Sequence, residues 1–482
     1  MSFIDGIKAA GSWLGGNSFT GSLARTAILG YAVNKMADNA LPNNAGAGAN
    51  RPKGKVQNLE ASTSNSIPVL YGRDYAPGIL FDATLSADSK VMHYALAVSE
   101  TTSTGAYTLH DVYRNNQRIV FKNDGVTVDY SVDKQGNVDR SGEGRIEVRF
   151  YAGGVDSPLV PQGYTGSPGS AYGEFPGWSS STHSLPNLIF AVVTVRYSRD
   201  KGITGLGDFV FEVENSLHEP GSVLFDYLTS TRYGAGIAPS NIDTASTAEL
   251  DTESAKSVSY SLPDGTTGEV LSDQYQINGL VDTTETVLTN AEKITTSASA
   301  WLSYDAQEGK WRAILNRVTI PSADFDDDTV IGTVNITNTG LGELYNAVKA
   351  EFGNRDTRGS TDYTKIAIPA SQQLATEVNN TLELTYDLID EPVQAELLAF
   401  QELKQSRQNL VIDFEADFTY AGLKAGSVIT VSNDRLGFDL KKFRITSIRE
   451  RASSEDALTL AITALEYDDA VYDYGTITRY TR

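Results

Sequence analysis

The sequence predicts a mainly β protein of antiparallel sheet domains, with a small α/β unit and few helices. Two observations carry that reading. From Val56 onward, short apolar runs are separated by Gly, Pro, Asn and Asp, the texture of strands joined by turns. Helical periodicity is confined to a few segments, among them those opening on Pro220 and Asp282.

A length of 482 residues suggests about three domains, and 40% hydrophobic with 21% charged residues suits a globular chain with several cores. Residues 1 to 55 read as an arm and linker: Leu23, Ala27 and Gly30 lie near one side of a possible helix, and residues 41 to 55 are rich in Gly, Ala, Asn and Pro. Such an arm is either ordered by a neighbouring subunit or a frayed terminus.

The first β domain is expected over residues 56 to 220. Ile146, Val148 and Phe150 alternate with charged residues, as in a half-exposed strand, whereas residues 189 to 195 are almost continuously apolar and β-branched, as in a buried one. Between them, residues 152 to 186 are crowded with Gly, Ser, Pro and Tyr and read as a long exposed loop, its tyrosines and Trp178 offering interface anchors.

An α/β unit is expected over residues 221 to 318. Pro220 opens a helix with Leu224, Tyr227 and Leu228 on one face, and Gly234 and Gly236 follow as stop signals. Asp282 with Glu285 forms a capping-box pattern ahead of Val287, Ala291, Ile294, Ala298 and Trp301 at helical spacing. Residues 304 to 315 read as a hairpin turning at a glycine, with Trp311 and Ile314 on its return strand.

A second β domain is expected over residues 319 to 482. It includes a helix over 391 to 408 burying Val393, Leu397, Phe400 and Leu403, and a strand whose Leu458, Leu460, Ile462 and Ala464 alternate.

The absence of Cys excludes disulfides, thiolate metal sites and cysteine nucleophiles. His93, His110, His183 and His218 lie far apart, which gives a zinc site no support. No cofactor is expected. The formal net charge of -22 argues against a nucleic-acid-binding surface, since phosphate affinity needs clustered Lys and Arg. The amino terminus lacks a signal-peptide apolar region and no run reaches the roughly 20 apolar residues of a membrane span, so a soluble chain made in the cytoplasm is expected.

Asp324, Asp326, Asp327 and Asp328 resemble a calcium cluster but lack the Gly and distal Glu of an EF-type loop, so a turn between strands is the better reading. Gly202, Gly205 and Gly207 precede no βαβ pattern, and Ser180, Ser181 and His183 lack an elbow sequence.

Several phrases resemble the tail hub, or tip attachment, family of long-tailed phages, which is related in fold to baseplate hub proteins. They are IPVLYGRDYAPG from Ile67, YALAVSE and DVYRNNQRI between Tyr94 and Ile119, and VLFDYLTSTRYGAG from Val223. Residues 275 to 315, LYNAVKAEFGNRD from Leu344, LKAGSVITVSNDRLGFDLKKFRITSI from Leu423 and ITALEYDDAVYD from Ile462 follow in the family's order. The resemblance covers most of residues 56 to 475 and leaves the first 55 unmatched. No long carboxy-terminal receptor-binding modules follow the last match, so host recognition by this chain itself is not expected.

The resemblance implies a structural protein of the virion rather than an enzyme. It implies a homotrimer, each subunit giving two tube-like antiparallel β-barrel domains, so that a pseudo-sixfold ring joins the tail tube or distal tail proteins to tip, spike or fibre proteins. DNA would pass through the ring without being held, and the loop over 152 to 186 would contact another tail protein. Asp413, Glu415 and Asp417 alternate with apolar residues on one strand and compete between three readings: a stripe lining the lumen, a plain solvated face, or catalytic carboxylates. The last would suit a cell-wall-degrading tail enzyme of glycoside hydrolase type, but a row on an open strand offers no asymmetry of environment between an acid and its partner. A receptor-binding adhesin is favoured only by the Tyr-rich loop.

Overall fold

The strand Leu188–Arg196 is buried at eight of its nine residues, since both faces of its sheet are covered. The computed structural model that shows this describes residues 66 to 479, apart from 87 to 89, 182, 339 to 343, 375, 453 to 457 and 476. The expected arm over 1 to 55 lies outside the described residues.

Leu188–Arg196 runs antiparallel between Ile146–Ala152 and Val91–Glu100. The sheet continues through Val69–Tyr71 to Gly279–Val281, and Ile79–Leu85 also pairs with Val91–Glu100. A second sheet is ordered Arg73–Pro77, Phe209–Asn215, Tyr107–Arg114, Gln117–Phe121, Val128–Val132 and Val138–Asp139. Leu96, Val98, Phe150, Ile189 and Val193 from the first sheet meet Val112, Phe211 and Val213 from the second in one core. As the alternation predicts, Ile146, Val148 and Phe150 point into it while Glu147 and Arg149 do not.

The chain crosses from one sheet to the other at Gly72, between strands Val69–Tyr71 and Arg73–Pro77. Its φ is +59°, and an added Cβ would lie 2.1 Å from the Ile277 carbonyl oxygen, so the corner requires glycine.

Residues 152 to 186 are largely irregular and many of them are exposed, but several of their aromatic side chains are not free. A short helix, α1 (Ala171–Glu174), brings Phe175 and Trp178 onto the outer face of the first sheet, against Phe190 and Val192. Trp178 is 7% exposed, stacks on Phe175 with centroids 4.5 Å apart, and donates its indole N–H to Asp82 Oδ2 at 2.8 Å. Tyr164 packs edge-on against Phe121 and its hydroxyl accepts the Phe121 amide. The segment's aromatic residues thus cover an apolar sheet face of their own chain, and Trp178 is no free anchor.

Helices α2 (Pro220–Thr229), α3 (Thr244–Ser254), α4 (Val287–Thr296) and α5 (Pro392–Gln405) surround a third core. α2 begins at Pro220 as expected. The start at Asp282 moves to Val287: Asp282 instead closes a turn by accepting the Thr284 amide at 2.8 Å, Thr286 caps α4, and Glu285 pairs with Lys293. Trp301 is not on that helix but on the strand Ala300–Asp305, which forms the expected hairpin with Lys310–Leu315. Helix α3 carries few apolar residues besides Leu250 and left no periodic signal; Asp243 caps it.

The strand Ala347–Asn354 lies between Ser360–Ala367 and Thr381–Tyr386, and α5 packs on this three-stranded sheet. Val393, Leu397 and Leu403 are buried as expected, whereas Phe400 is half-buried beneath the Lys404 ammonium, 4.7 Å from its ring centre. Val348, Leu382 and these α5 residues share their core with α2 and α4, so this stretch packs with the central helices rather than with the sheet that follows.

That last sheet is ordered Ala323–Phe325, Val428–Asn433, Phe438–Ala452, Leu458–Glu466, Leu410–Asp417 and Val330–Asn338. Its two edge strands are consecutive in sequence, joined only by residues 326 to 329. Laid flat, six strands at about 4.8 Å spacing would part the edges by about 24 Å, beyond the roughly 17 Å those residues span. The sheet must therefore curl, and it wraps Phe325, Ile412, Phe414, Phe443 and Ile462 into a core of its own. The described chain is accordingly mainly β, with curled antiparallel sheets, an α/β middle and few helices.

Candidate functional site

Two buried ionisable residues sit where the central helices meet the two β regions. The first is Asp226, on the face of α2 that also carries the buried Val223 and Tyr227. It is 3% exposed. The hydroxyls of Tyr71 and Tyr233 each donate to its Oδ2 at 2.7 Å, and the Ser103 amide donates to Oδ1 at 3.1 Å, joined there by the Ser103 hydroxyl. Burial pushes the Tyr71 hydroxyl well above the ordinary tyrosine range, and the neighbouring Asp226 carboxylate adds to that shift, so the phenol stays a donor. Tyr71 ends a strand of the first sheet, so the cluster pins that sheet to α2.

Arg232 grips the same place from the surface. Its guanidinium donates to Glu100 Oε2 at 2.5 Å and to the Asn187 carbonyl at 3.3 Å, and also meets the Thr101 carbonyl. The IPVLYGRDY, YALAVSE and VLFDYLTSTRYGAG phrases converge here. Sequence reasoning missed the cluster, although a lone acid on an otherwise apolar helix face was its signal.

The second is Arg444, 3% exposed, on the strand Phe438–Ala452. It donates to the Arg317 carbonyl at 3.1 Å and to Tyr472 Oη at 3.0 Å, and its guanidinium lies 5.3 Å from the Trp301 ring centre and 5.0 Å from that of Tyr467. Tyr472 in turn donates to Asn316 Oδ1 at 2.8 Å. The hairpin of the middle region and the curled sheet are thereby fastened together by a planar cation that both stacks and forks.

Asp413, Glu415 and Asp417 do share the outward face of Leu410–Asp417, opposite the buried Ile412, Phe414 and Ala416. The three acids are not free. Asp413 Oδ1 accepts the Thr463 hydroxyl at 2.5 Å, Glu415 pairs with Arg451, and Asp417 caps a turn by accepting the Thr419 amide at 2.8 Å. Register through Leu458–Glu466 puts Arg449 on the same face, so the stripe is mixed in charge.

The Asp324 to Asp328 group forms the turn expected. Asp326 accepts the Thr329 amide at 3.0 Å, Asp327 takes Asn433 Nδ2 at 2.6 Å, and Asp324 bonds Thr430. Among the described residues no group of three or more His, Cys, Asp or Glu is placed to hold a metal ion. His93 faces Thr194 and Phe175, while His110 pairs with Glu214.

No protein-family model matches the chain. In sequence it is 20% identical over 330 residues to the baseplate hub protein pb3 of Escherichia phage T5, covering 62% of this chain and 34% of that protein. The chain thus spans about a third of that relative's length. Among solved structures, a chain from the virion of a native gene transfer agent particle superposes with a TM-score of 0.55 at 15% identity, covering 98% of each chain. The resemblance to phage tail hub proteins holds. A tail protein from Neisseria meningitidis MC58 covers 85% of the hub-like chain and 98% of its own at 11% identity, with a TM-score of 0.34 that is too low to weigh.

Proposed function

We propose that this chain is a structural hub of a phage tail without catalytic turnover. Copies associate as a trimer, each giving two β regions to a pseudo-sixfold ring between the tail tube and the tip or baseplate, and DNA passes through the ring. The organisation proposed is a first β-barrel domain over 56 to 220, an α/β domain over 221 to 318 and a second β-barrel domain over 319 to 482, the last lending residues 344 to 405 to the α/β core. Tail tube or distal tail proteins lie on one side, and tip, spike or fibre proteins on the other. Assembly takes place in the host cytoplasm and the product resides in the virion.

The similarity of the sequence to a baseplate hub protein carries this reading, and a virion chain whose match covers 98% of each chain supports it. The buried pins at Asp226 and Arg444 support it, because a ring closes only if each copy holds its two β regions at a fixed angle. Electron cryomicroscopy of the assembled particle tests it. Three copies at the junction of tube and tip are expected, and a single copy, or a location off the tail axis, would sink the reading.

We further propose that the face bearing Asp413, Glu415 and Asp417 lines the channel, where a mixed surface with acids to spare would not retain DNA. Replacing all three by Lys is expected to slow genome ejection while particles still assemble. Unchanged ejection kinetics would place the face elsewhere.

A further inference from the structure

Strand edges present rows of unpaired N–H and C=O groups, and natural proteins usually guard them with charge, proline or brevity. Among the described residues, several sheet edges here follow that rule: Ser360–Ala367 carries Asp362 and Lys365, Thr381–Tyr386 carries Glu383, and Thr267–Leu271 carries Glu269. Two long edges do not.

Val330–Asn338 is nine residues long, ends the curled sheet, and reads VIGTVNITN, without charge or proline. Its core side is incomplete. Ile336 lies opposite Ile412, which is fully buried, yet Ile336 itself is 37% exposed; Ile331, opposite Glu415 on the outward face, is 44% exposed. Ile79–Leu85 pairs only with Val91–Glu100 and leaves its other side open. Its single acid, Asp82, is occupied by the Trp178 indole, and Leu85 is 49% exposed.

The chain's charge says what fits these edges. At a net charge of -22, two copies repel one another wherever their acidic surfaces meet, so copies join at least cost along segments that carry little charge, and these two edges hold one acid between them. We propose that Val330–Asn338 of one copy is extended by Ile79–Leu85 of a second copy, edge to edge. This rests on the ring reading and deepens it by naming the joint. Because the two edges differ, the contact is head-to-tail, and a closed ring consumes both edges of every copy. The added strand completes the curled sheet and covers Ile336.

The chain has no Cys, so any disulfide between copies must come from introduced residues. Asn335→Cys, Ile336→Cys and Thr337→Cys are each combined with Thr84→Cys or Leu85→Cys, which samples both strand faces and several registers. After oxidation of the assembled particle, at least one combination is expected to give a reducible band of three chains, while the single substitutions leave monomers. Thr333→Lys with Thr337→Lys is expected to lower the purified oligomer's mass to one chain, with circular dichroism unchanged. No cross-link from any combination, in a particle shown to hold several copies, overturns this joint and leaves the ring reading standing. A particle holding one copy overturns the ring reading itself.

Discussion

The Tyr71 hydroxyl donates to Asp226 Oδ2 at 2.7 Å across 155 positions of sequence, and Tyr233 donates to the same oxygen. A buried carboxylate held by two phenols and a serine ties the first sheet to α2. Tyr71→Phe removes one charged hydrogen bond and is expected to lose about 1.5–3 kcal/mol, whereas Asp226→Ala strands two buried hydroxyls and loses more. Hydrogen exchange at the α2 amides checks this. Protection that survives Asp226→Ala would show that the cluster does not hold the junction.

Trp178 fastens the segment from 152 to 186 to its sheet. Trp178→Ala is expected to lose about 3–5 kcal/mol locally, because it removes the ring stacked on Phe175 and leaves Asp82 without its indole donor. Limited proteolysis should then cut the variant near residues 160 to 185 at protease levels that leave the native chain whole. Equal resistance would contradict the packing described.

Helix α5 makes stability depend on pH. Burial raises both Glu396 and Glu402 to about 7, and Glu402 lies near the buried Tyr386. A folded-state pKa above the ordinary value of 4.5 means that the folded chain holds these protons more tightly than the unfolded chain. Their contribution is therefore whole below about pH 4.5, falls as pH rises toward 7, and is lost above it. Glu402→Gln, which mimics the protonated acid, is expected to be more stable than the native chain at pH 8 by on the order of 1–3 kcal/mol and little different at pH 4.5. Urea midpoints at the two pH values measure the difference. A gap that does not widen with pH would rule out the buried acid as its cause.

At the corner between the two sheets, Gly72→Ala places a methyl group 2.1 Å from the Ile277 carbonyl at a φ of +59°. A loss of at least about 2 kcal/mol is expected, read as a lowered thermal midpoint or insoluble expression. A soluble variant with native melting would show that the corner can shift.

The sequence by itself determined what local chemistry controls. Alternating Ile146, Val148 and Phe150, the apolar run from 189 to 195, Pro220 at a helix start and the glycine hairpin before Trp311 each declared their element, because strand and helix periods are written into neighbouring residues. Tail-hub phrases in the right order made the fold class legible as well. Only tertiary structure decided what depends on partners far along the chain. Trp178 looked free until the sheet it covers was in place, α3 had too few apolar residues to show a stripe, and Asp282 served a turn while Thr286 capped the helix. The Asp226 and Arg444 clusters stayed hidden for the same physical reason: a buried charge is stable only where separate segments converge to satisfy it, and that convergence is a property of the fold, not of any one window of sequence.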